Sequence, residues 1–474
     1  MAGFRTYLLW FALTILHTWL FYDQSLGLNA LIFSVIMVVL VTWLHTLQRK
    51  KTWWFAAGVH LFVSVAVFWH GTFMSIILYH FSAFALAGFV LAVQSSLPIA
   101  FINGITASLG ISFVTWIPAF VKNLKESGLA HPFLHHFSLK RAYLYIAPAT
   151  VTLIFYFFYS IANPDFFLEL NFPDLEINLG LIGYIILGGV MLCPLIFPWG
   201  FKNLAEWDLG KPDLLKRIRI KKVSTSKLGL AHENHQGVVM FAMLNILIIL
   251  FLCFNVLQIF IPALVQQQRN HSEQVHQGFE TLIMSIIIAI LLIMYYFRAN
   301  QNFYTNKTRL VQLATIWILL NVFLAVFTCY KNILYVDNFG LTYKRIWVFI
   351  GIVLTIIGLY LTLLKITNLK TNWYLIRQNT WILCFMLTFY TLIDWDRFIT
   401  WYNFNYAQEL DLEYIEDLGN TKLPYLKELI KNNNSRMEDY KYEFEVMIKK
   451  ANIPVVSWKS QTLDNEWLQV ELER

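Results

Sequence analysis

The run VVMFAMLNILIILFLCFNVLQIFI, residues 238–261, decides the fold of this chain, because it contains no charged side chain. A helix of about 20 apolar residues spans the hydrocarbon core of a bilayer. The run is continuously apolar, whereas the strands of a membrane barrel alternate between apolar and polar residues. We therefore predict a membrane-crossing helix at this position.

Eleven other runs approach or exceed the length of about 18 residues that marks a span. No small-residue cleavage site follows the first of them, so we interpret it as a span and not as a signal peptide. The predicted fold is an all-α integral membrane protein, with about 11–12 transmembrane helices in residues 1–401 and a small helical tail in residues 402–474. The predicted spans are Tyr7–Tyr22, Gly27–Thr46, Trp53–His70, Phe73–Val93, Pro98–Phe120, Ala142–Ala162, Leu179–Pro198, Val238–Ile261, Glu280–Phe297, Leu310–Tyr330, Ile346–Leu364 and Asn379–Trp395.

The composition of the chain agrees with a membrane protein. Of 474 residues, 58% are hydrophobic and 14% are charged, whereas a soluble domain carries about a quarter charged residues. The soluble, disordered, collagenous and disulfide-scaffold classes are therefore excluded. The four cysteines are isolated, without CxxC or paired histidine spacing, so we expect no metal site and no cofactor.

The distribution of Lys and Arg in the loops predicts the orientation. Basic residues collect in cytoplasmic loops, and the loop Gly200–Gly237 holds eight of them, whereas Asn163–Asn178 holds four acids and no base. We therefore place Gly200–Gly237 in the cytoplasm, where its bases attract anionic lipid headgroups. Nucleic acid is not expected as a partner, because no recognition fold fits a loop this short.

The segment Pro98–Phe120 leaves the number of spans open. Twelve full spans would put Arg5 and the cluster Arg49–Lys51 on the outer face. They move to the cytoplasmic side if Pro98–Phe120 enters the membrane without crossing, and its prolines, glycines and polar residues suit such a broken helix. We favour eleven spans and one re-entrant or interfacial segment. The charges would be explained equally well if another of the first five runs did not cross the membrane.

The tail differs from the rest of the chain in charge. Residues 402–474 contain 14 acids and 9 bases, whereas residues 1–401 contain 15 acids and 27 bases. Leu423–Ile430 has helical spacing, with Pro424 in its first turn. Ser435 and Glu438 form a capping-box pattern for a second helix. We expect a small domain, or helices on the bilayer, with an apolar stripe against the membrane domain or the lipid surface.

The side of the membrane on which the tail lies depends on the last predicted span. Counting spans forward from the basic loop places the tail outside the cell. If Asn379–Trp395 lies along the interface instead, the tail is cytoplasmic and meets the basic loop.

Two outer loops carry candidate site residues. In Asn270–Glu280, four side chains could together bind a metal or serve as acid and base, namely His271, Glu273, His276 and Glu280. His276 and Glu280 are four residues apart, so they share a helix face if the span begins early. The spacing is not HExxH, and Glu280 also suits the positive N-terminus of a helix, so no metal site is predicted. Further along, Lys344 and Arg345 precede a span.

The basic pair has two interpretations. Lys344 and Arg345 either snorkel to the interface or bind a lipid phosphate, with Arg345 as a bidentate donor. Gly340, just before them, suggests a backbone position with positive φ. If the two loops form one site, His276 lies close to Arg345.

Several of these motifs resemble a known family. The segments 271–279 (HSEQVHQGF), 334–342 (LYVDNFGLT), 401–405 (WYNFN), 410–415 (LDLEYI) and 423–426 (LPYL) are similar to those of the bacterial polytopic membrane family catalogued as a domain of unknown function (the 4153/4173 group). The resemblance covers roughly residues 238–430, and the first 120 residues only by hydropathy. It implies a helical fold in the bacterial inner membrane, and it supplies no reaction, substrate or catalytic residue.

Three functions stay open at this point. The first is a non-catalytic or transport-type protein that binds lipid, a solute or a membrane partner. The second is an enzyme for a lipid-linked substrate at the outer surface, with His276 as base, Arg345 as anion clamp, and Glu280 or Asp394 in support. The third is a sensor or scaffold whose tail binds a protein partner. An enzyme requires His276 and Arg345 to converge on one pocket.

Overall fold

A computed structural model of the chain describes residues 4–112, 152, 178–217, 229–260, 271–408, 410–432, 438, 440–451 and 456–473. For residues 4, 110–111, 179, 258–260, 271–283 and 472–473 it describes the backbone alone. The fold is all-helical, as predicted, with 81% helix and no strands among the described residues. The chain divides into two compact units. The first unit comprises residues 1–209 and 455–463, and the second comprises residues 210–454 and 464–474.

The helices follow the apolar runs of the sequence. In the first unit they are α1 (Phe4–Phe21), α2 (Leu28–Leu44), α3 (Lys51–Trp69), α4 (Phe73–Leu91), α5 (Leu97–Thr106), α6 (Leu179–Ile196) and α7 (Lys202–Leu209). In the second unit they are α8 (Leu230–Phe260), α9 (His271–Tyr296), α10 (Thr308–Phe339), α11 (Tyr343–Thr367), α12 (Asn372–Tyr390), α13 (Trp395–Tyr406), α14 (Leu412–Asp417), α15 (Leu423–Asn432), α16 (Lys441–Lys450) and α17 (Leu463–Glu473, which starts at the boundary of the units).

Five of the described helices are long and apolar enough to cross a membrane. They are Lys51–Trp69, Phe73–Leu91, Leu230–Leu257, Thr308–Phe339 and Tyr343–Thr367. Helix α8 exposes a broad apolar face, with Met243, Leu247 and Leu250 each more than 60% accessible. Such a face suits contact with lipid and not with water. The predicted span Ala142–Ala162 lies outside the described residues except for residue 152.

The predicted re-entrant segment begins as helix α5. This helix packs very closely on α4, because a Cβ at Gly88 or at Gly104 would lie 1.7 Å from a backbone carbonyl of the other helix. A π-helical turn, Ala107–Ile111, follows α5. The part of the segment beyond residue 112 lies outside the described residues, so the choice between a crossing and a re-entrant segment stays open.

In the first unit, the basic loop and the C-terminal tail lie at opposite ends. At one end, the buried carboxylate of Asp208 in α7 accepts a hydrogen bond from Ser96 N, just before α5. At the other end, residues 456–463, which we call the strap, lie on the α1–α2 loop. There Leu28 N donates to Gln461 O at 2.9 Å and Asn29 N donates to Lys459 O at 2.8 Å.

The second unit shows the same arrangement. Leu214, from the basic loop, forms a bridge with Lys370 after the C-terminus of α11. At the opposite end of α11, the backbone N of Tyr343 donates to the tail residue Tyr414 Oη at 2.8 Å. Helix α12 therefore returns the chain along α11 from the loop end to the tail end.

A hydrophobic core joins the tail helices of the second unit. Its buried core residues are Phe404, Ile415, Leu423, Leu426, Leu429, Phe444, Met447 and Leu468. The apolar stripe of α15 thus packs on other tail helices, where the sequence predicted contact with the membrane domain or with lipid. Pro424 is in the first turn of α15, as expected, whereas the proposed cap Ser435 lies outside the described residues.

Candidate functional site: an aromatic cleft at the base of the tail

Helix α13 begins the tail directly after α12, and its first turn is fixed by an aspartate. Asp394 Oδ1 accepts hydrogen bonds from the backbone N of Arg397 at 3.1 Å and from Thr421 Oγ1 at 2.9 Å. An aspartate is a favoured residue at this position, because it satisfies a free N–H and complements the positive end of the helix. Asp394 is therefore the N-cap of α13. From the sequence it was proposed as a supporting residue in the enzyme hypothesis.

The buried face of α13 holds the turn between α10 and α11. Asn403 Nδ2 donates to Leu341 O at 2.9 Å, and Asn403 Oδ1 accepts from Leu341 N. Gly340 in this turn has φ of +76°, as the sequence suggested, and a Cβ there would lie 2.7 Å from Asn403 Oδ1. Glycine is therefore required both by the backbone conformation and by the space.

Arg345 is buried under the same turn. Its Nη1 donates to Phe339 O at 2.8 Å and to Gly340 O, and its guanidinium carbon lies 4.3 Å from the ring centroid of Tyr335. These carbonyls are the free acceptors at the C-terminus of α10, which carries partial negative charge. In this structure Arg345 therefore caps a helix, while its neighbour Lys344 is exposed.

The other sequence-predicted residues fall on α9. His276 and Glu280 lie in the first turns of this helix, but their side chains lie outside the described part of the structure. The convergence of His276 with Arg345 therefore stays a prediction. So does the binding of an anion by Lys344 and Arg345.

The exposed face of α13 forms one wall of a cleft of about 470 Å³. Aromatic side chains are prominent in it, and Phe398 and Trp401 are 40% and 39% exposed. Tyr425 Oη, in the facing helix α15, accepts a hydrogen bond from Asn405 Nδ2 at 2.9 Å. The residues that line the cleft are Ile393, Asp394, Arg397, Phe398, Trp401, Tyr425 and Glu428.

An aromatic series leads from the end of α12 into this cleft. Ring centroids are 5.1 Å apart between Tyr390 and Trp395, 6.0 Å between Trp395 and Phe398, and 5.7 Å between Phe398 and Trp401. Tyrosine and tryptophan are enriched where a membrane meets water. Their position directly after α12 therefore suits a helix that lies at such an interface.

Sequence reasoning did not identify the cleft. It singled out 401–405 as a family motif and Asp394 as a charge at the end of a span, but it assigned no site to Phe398, Trp401 or Tyr425. The only feature of the sequence that pointed to the cleft was a pair of aromatic residues, three positions apart, directly after a predicted span. The partner wall on α15 is more than 20 residues away along the chain, so only folding brings the two walls together.

Comparison with known proteins identifies a family but no activity. The model of the family described as "Domain of unknown function (DUF4153)" matches residues 8–429. This match confirms the resemblance inferred from the motifs and extends it over the N-terminal helices, which resembled the family by hydropathy alone. No curated protein and no solved structure matches the chain.

Proposed function

We propose that this chain, which belongs to the family described as Domain of unknown function (DUF4153), is a multi-pass protein of the bacterial inner membrane. In this proposal it binds a lipid, without transforming it, in the cleft at the base of its tail. The observation that carries this proposal is the cleft itself, in which exposed aromatic rings adjoin charged groups directly after the end of α12.

The proposed orientation rests on charge and on the two ends of each unit. Basic residues favour the cytoplasmic side, so the loop Gly200–Gly237 is cytoplasmic in this proposal. In both units the described parts of this loop lie at the end opposite to the tail. The tail and its cleft are then on the outer face, and the bases of the loop attract anionic lipid headgroups on the inner face.

The composition of the cleft favours binding over catalysis. Its lining residues include no histidine, serine, threonine or cysteine, which are the usual bases and nucleophiles of hydrolytic sites. One of its two carboxylates, that of Asp394, is occupied as the cap of α13. The enzyme alternative instead needs Arg345 as an anion clamp, although Arg345 Nη1 donates to two backbone carbonyls.

Removal of the aromatic wall tests the proposal. The full chain is purified in detergent, and the lipid retained per protein is measured by native mass spectrometry. The double variant Phe398→Ala/Trp401→Ala should retain about tenfold less lipid at a given lipid concentration, because each aromatic contact contributes about 0.5–1.5 kcal/mol.

The matched control removes two rings from the exposed face of α10. Phe323 and Tyr330 are 67% and 45% exposed there, outside the cleft. The variant Phe323→Ala/Tyr330→Ala should retain lipid like the unmodified chain. Equal lipid retention by both double variants would refute lipid binding in the cleft.

A further inference from the structure

Besides the capping Asp394, two opposite charges line the cleft, and they do not neutralise each other. Arg397 on α13 and Glu428 on α15 are both exposed, and among the described residues neither forms an ion pair. Their charged groups are therefore more than 4.0 Å apart, the limit for an ion pair, although they border the same cleft. A ligand with a single charge would gain from one of these groups and be repelled by the other.

A neighbouring ring holds the charged group of Arg397, and the packing of α15 positions the backbone of Glu428. The guanidinium carbon of Arg397 lies 4.8 Å from the ring centroid of Trp467, so the side chain packs on an aromatic face. The N–H groups of its guanidinium form no hydrogen bond with described residues. Glu428 extends from α15, whose apolar face is part of the buried tail core.

We infer that the cleft recognises a zwitterionic headgroup that carries a phosphate and a primary ammonium, as in phosphatidylethanolamine. This inference rests on the proposed function and names the class of lipid. The phosphate is placed at Arg397, whose planar fork of donors suits phosphate oxygens. The ammonium is placed at Glu428, where the rings of Trp401 and Tyr425 add cation–π attraction.

The chemistry of the two groups predicts an order of affinity. Phosphatidylethanolamine satisfies both charges and donates N–H hydrogen bonds to Glu428. Phosphatidylcholine keeps the positive charge, and hence the cation–π attraction, but has no N–H to donate. Phosphatidylglycerol has no ammonium to pair with Glu428, and the negative charge of its phosphate is repelled by that carboxylate. The expected order is therefore phosphatidylethanolamine, then phosphatidylcholine, then phosphatidylglycerol.

A competition experiment tests this order. The full chain in detergent is mixed with equal amounts of the three lipids, with identical acyl chains, and the bound species are resolved by native mass spectrometry. We expect phosphatidylethanolamine to be preferred over phosphatidylglycerol by about fivefold, the effect of one exposed charge pair.

Charge variants assign the preference to the two residues. Glu428→Gln should abolish the preference, and Glu428→Lys should reverse it towards phosphatidylglycerol. Arg397→Gln should weaken binding of all three lipids. Glu413→Gln and Arg309→Gln change exposed charges outside the cleft and should leave the preference intact.

The outcomes separate the two proposals. A preference for phosphatidylethanolamine that Glu428→Lys reverses supports the zwitterion inference. Lipid binding that needs Phe398 and Trp401 but shows no headgroup preference, or the same preference in Glu428→Lys, overturns the inference and leaves the proposed function standing. Lipid binding that does not need the aromatic wall overturns both.

Discussion

The two units contact the C-terminal tail by different kinds of interaction. In the first unit, backbone and side-chain bonds are mixed. The N–H groups of Leu28 and Asn29 donate to strap carbonyls, while side chains of the strap bond Gln24 and the carbonyl of Trp19 at mostly exposed positions. In the second unit, side chains form the contact, with Asn403 bonded to both polar atoms of Leu341 and Tyr343 Oη donating to Asp396 Oδ1 at 2.8 Å.

This difference determines which substitutions each contact tolerates. Backbone hydrogen bonds survive most changes of side chain, so this part of the strap contact depends on steric fit against the α1–α2 loop, and the exposed side-chain bonds beside it contribute little. A side-chain bridge depends on the identity of the residue, because its removal leaves buried polar groups without partners. The second contact should therefore be the more sensitive to mutation at single polar positions.

The first prediction, and the one with the clearest outcome, is that both contacts lie on the same side of the membrane. In a background without the four native cysteines, Tyr442→Cys in the tail domain and Trp458→Cys in the strap should both react with an impermeant thiol reagent in spheroplasts. Both native side chains are well exposed, at 75% and 53%. Ser224→Cys in the basic loop should react only after lysis.

Other labelling patterns would contradict the proposed orientation. Reaction of Ser224→Cys in intact spheroplasts would invert it. Reaction of only one of the two tail positions would show that the strap and the tail domain do not share a side. Labelling at Asn171→Cys, in the acidic loop, is an independent marker for the outer face.

The side-chain contact should break on substitution of Asn403. Asn403→Ala leaves the N–H and C=O of Leu341 buried without partners, which should lower the free energy of unfolding by about 2–4 kcal/mol. Thermal unfolding of the purified chain, together with protease release of the tail, measures this loss.

A neighbouring asparagine provides the control for that variant. Asn338 is exposed and its Nδ2 bonds only Leu334 O of its own helix, so Asn338→Ala should change stability by less than about 0.5 kcal/mol. Equal effects of the two variants would argue against the Asn403 bridge.

The smallest predicted loss of stability follows from a substitution beside the strap. Gly27→Ala would place a Cβ 2.5 Å from Ser460 O, so the strap must move away and lose its backbone hydrogen bonds, at a cost of about 1–2 kcal/mol. Faster amide exchange at Leu28 and Asn29, by about five- to thirtyfold, would report the loss.

Another glycine of the first unit serves as its control. A Cβ at Gly58 meets nothing within 4 Å, and Gly58→Ala should leave exchange at the α1–α2 loop unchanged. If Gly27→Ala also leaves it unchanged, the strap does not rely on close fit at this position.

Local sequence patterns predicted the helices well, because the apolar runs are long and each helix satisfies its own backbone hydrogen bonds. The run 238–261 lies within α8 up to residue 260, and the run 346–364 lies within α11. The positive φ of Gly340 and the start of α15 near Pro424 were also predictable, since both depend on the conformational limits of a single residue.

The roles of individual polar residues were not predictable in this way. Arg345 was placed correctly at the start of a span, but the capping of α10 by its guanidinium depends on the turn that joins the two helices. The apolar stripe of α15 was recognised, yet its partners in α13 and α16 come from segments on either side of it in the chain.

Composition and periodicity are local properties, so the amino-acid sequence was enough to establish that this chain is helical, that it is apolar enough for a membrane and that its tail differs in charge. The folded chain was needed to show that the tail helices share a core, that the tail and the basic loop lie at opposite ends of each unit, and that Arg397 and Glu428 border one cleft. These features depend on contacts between distant segments, and no local pattern specifies which segments meet.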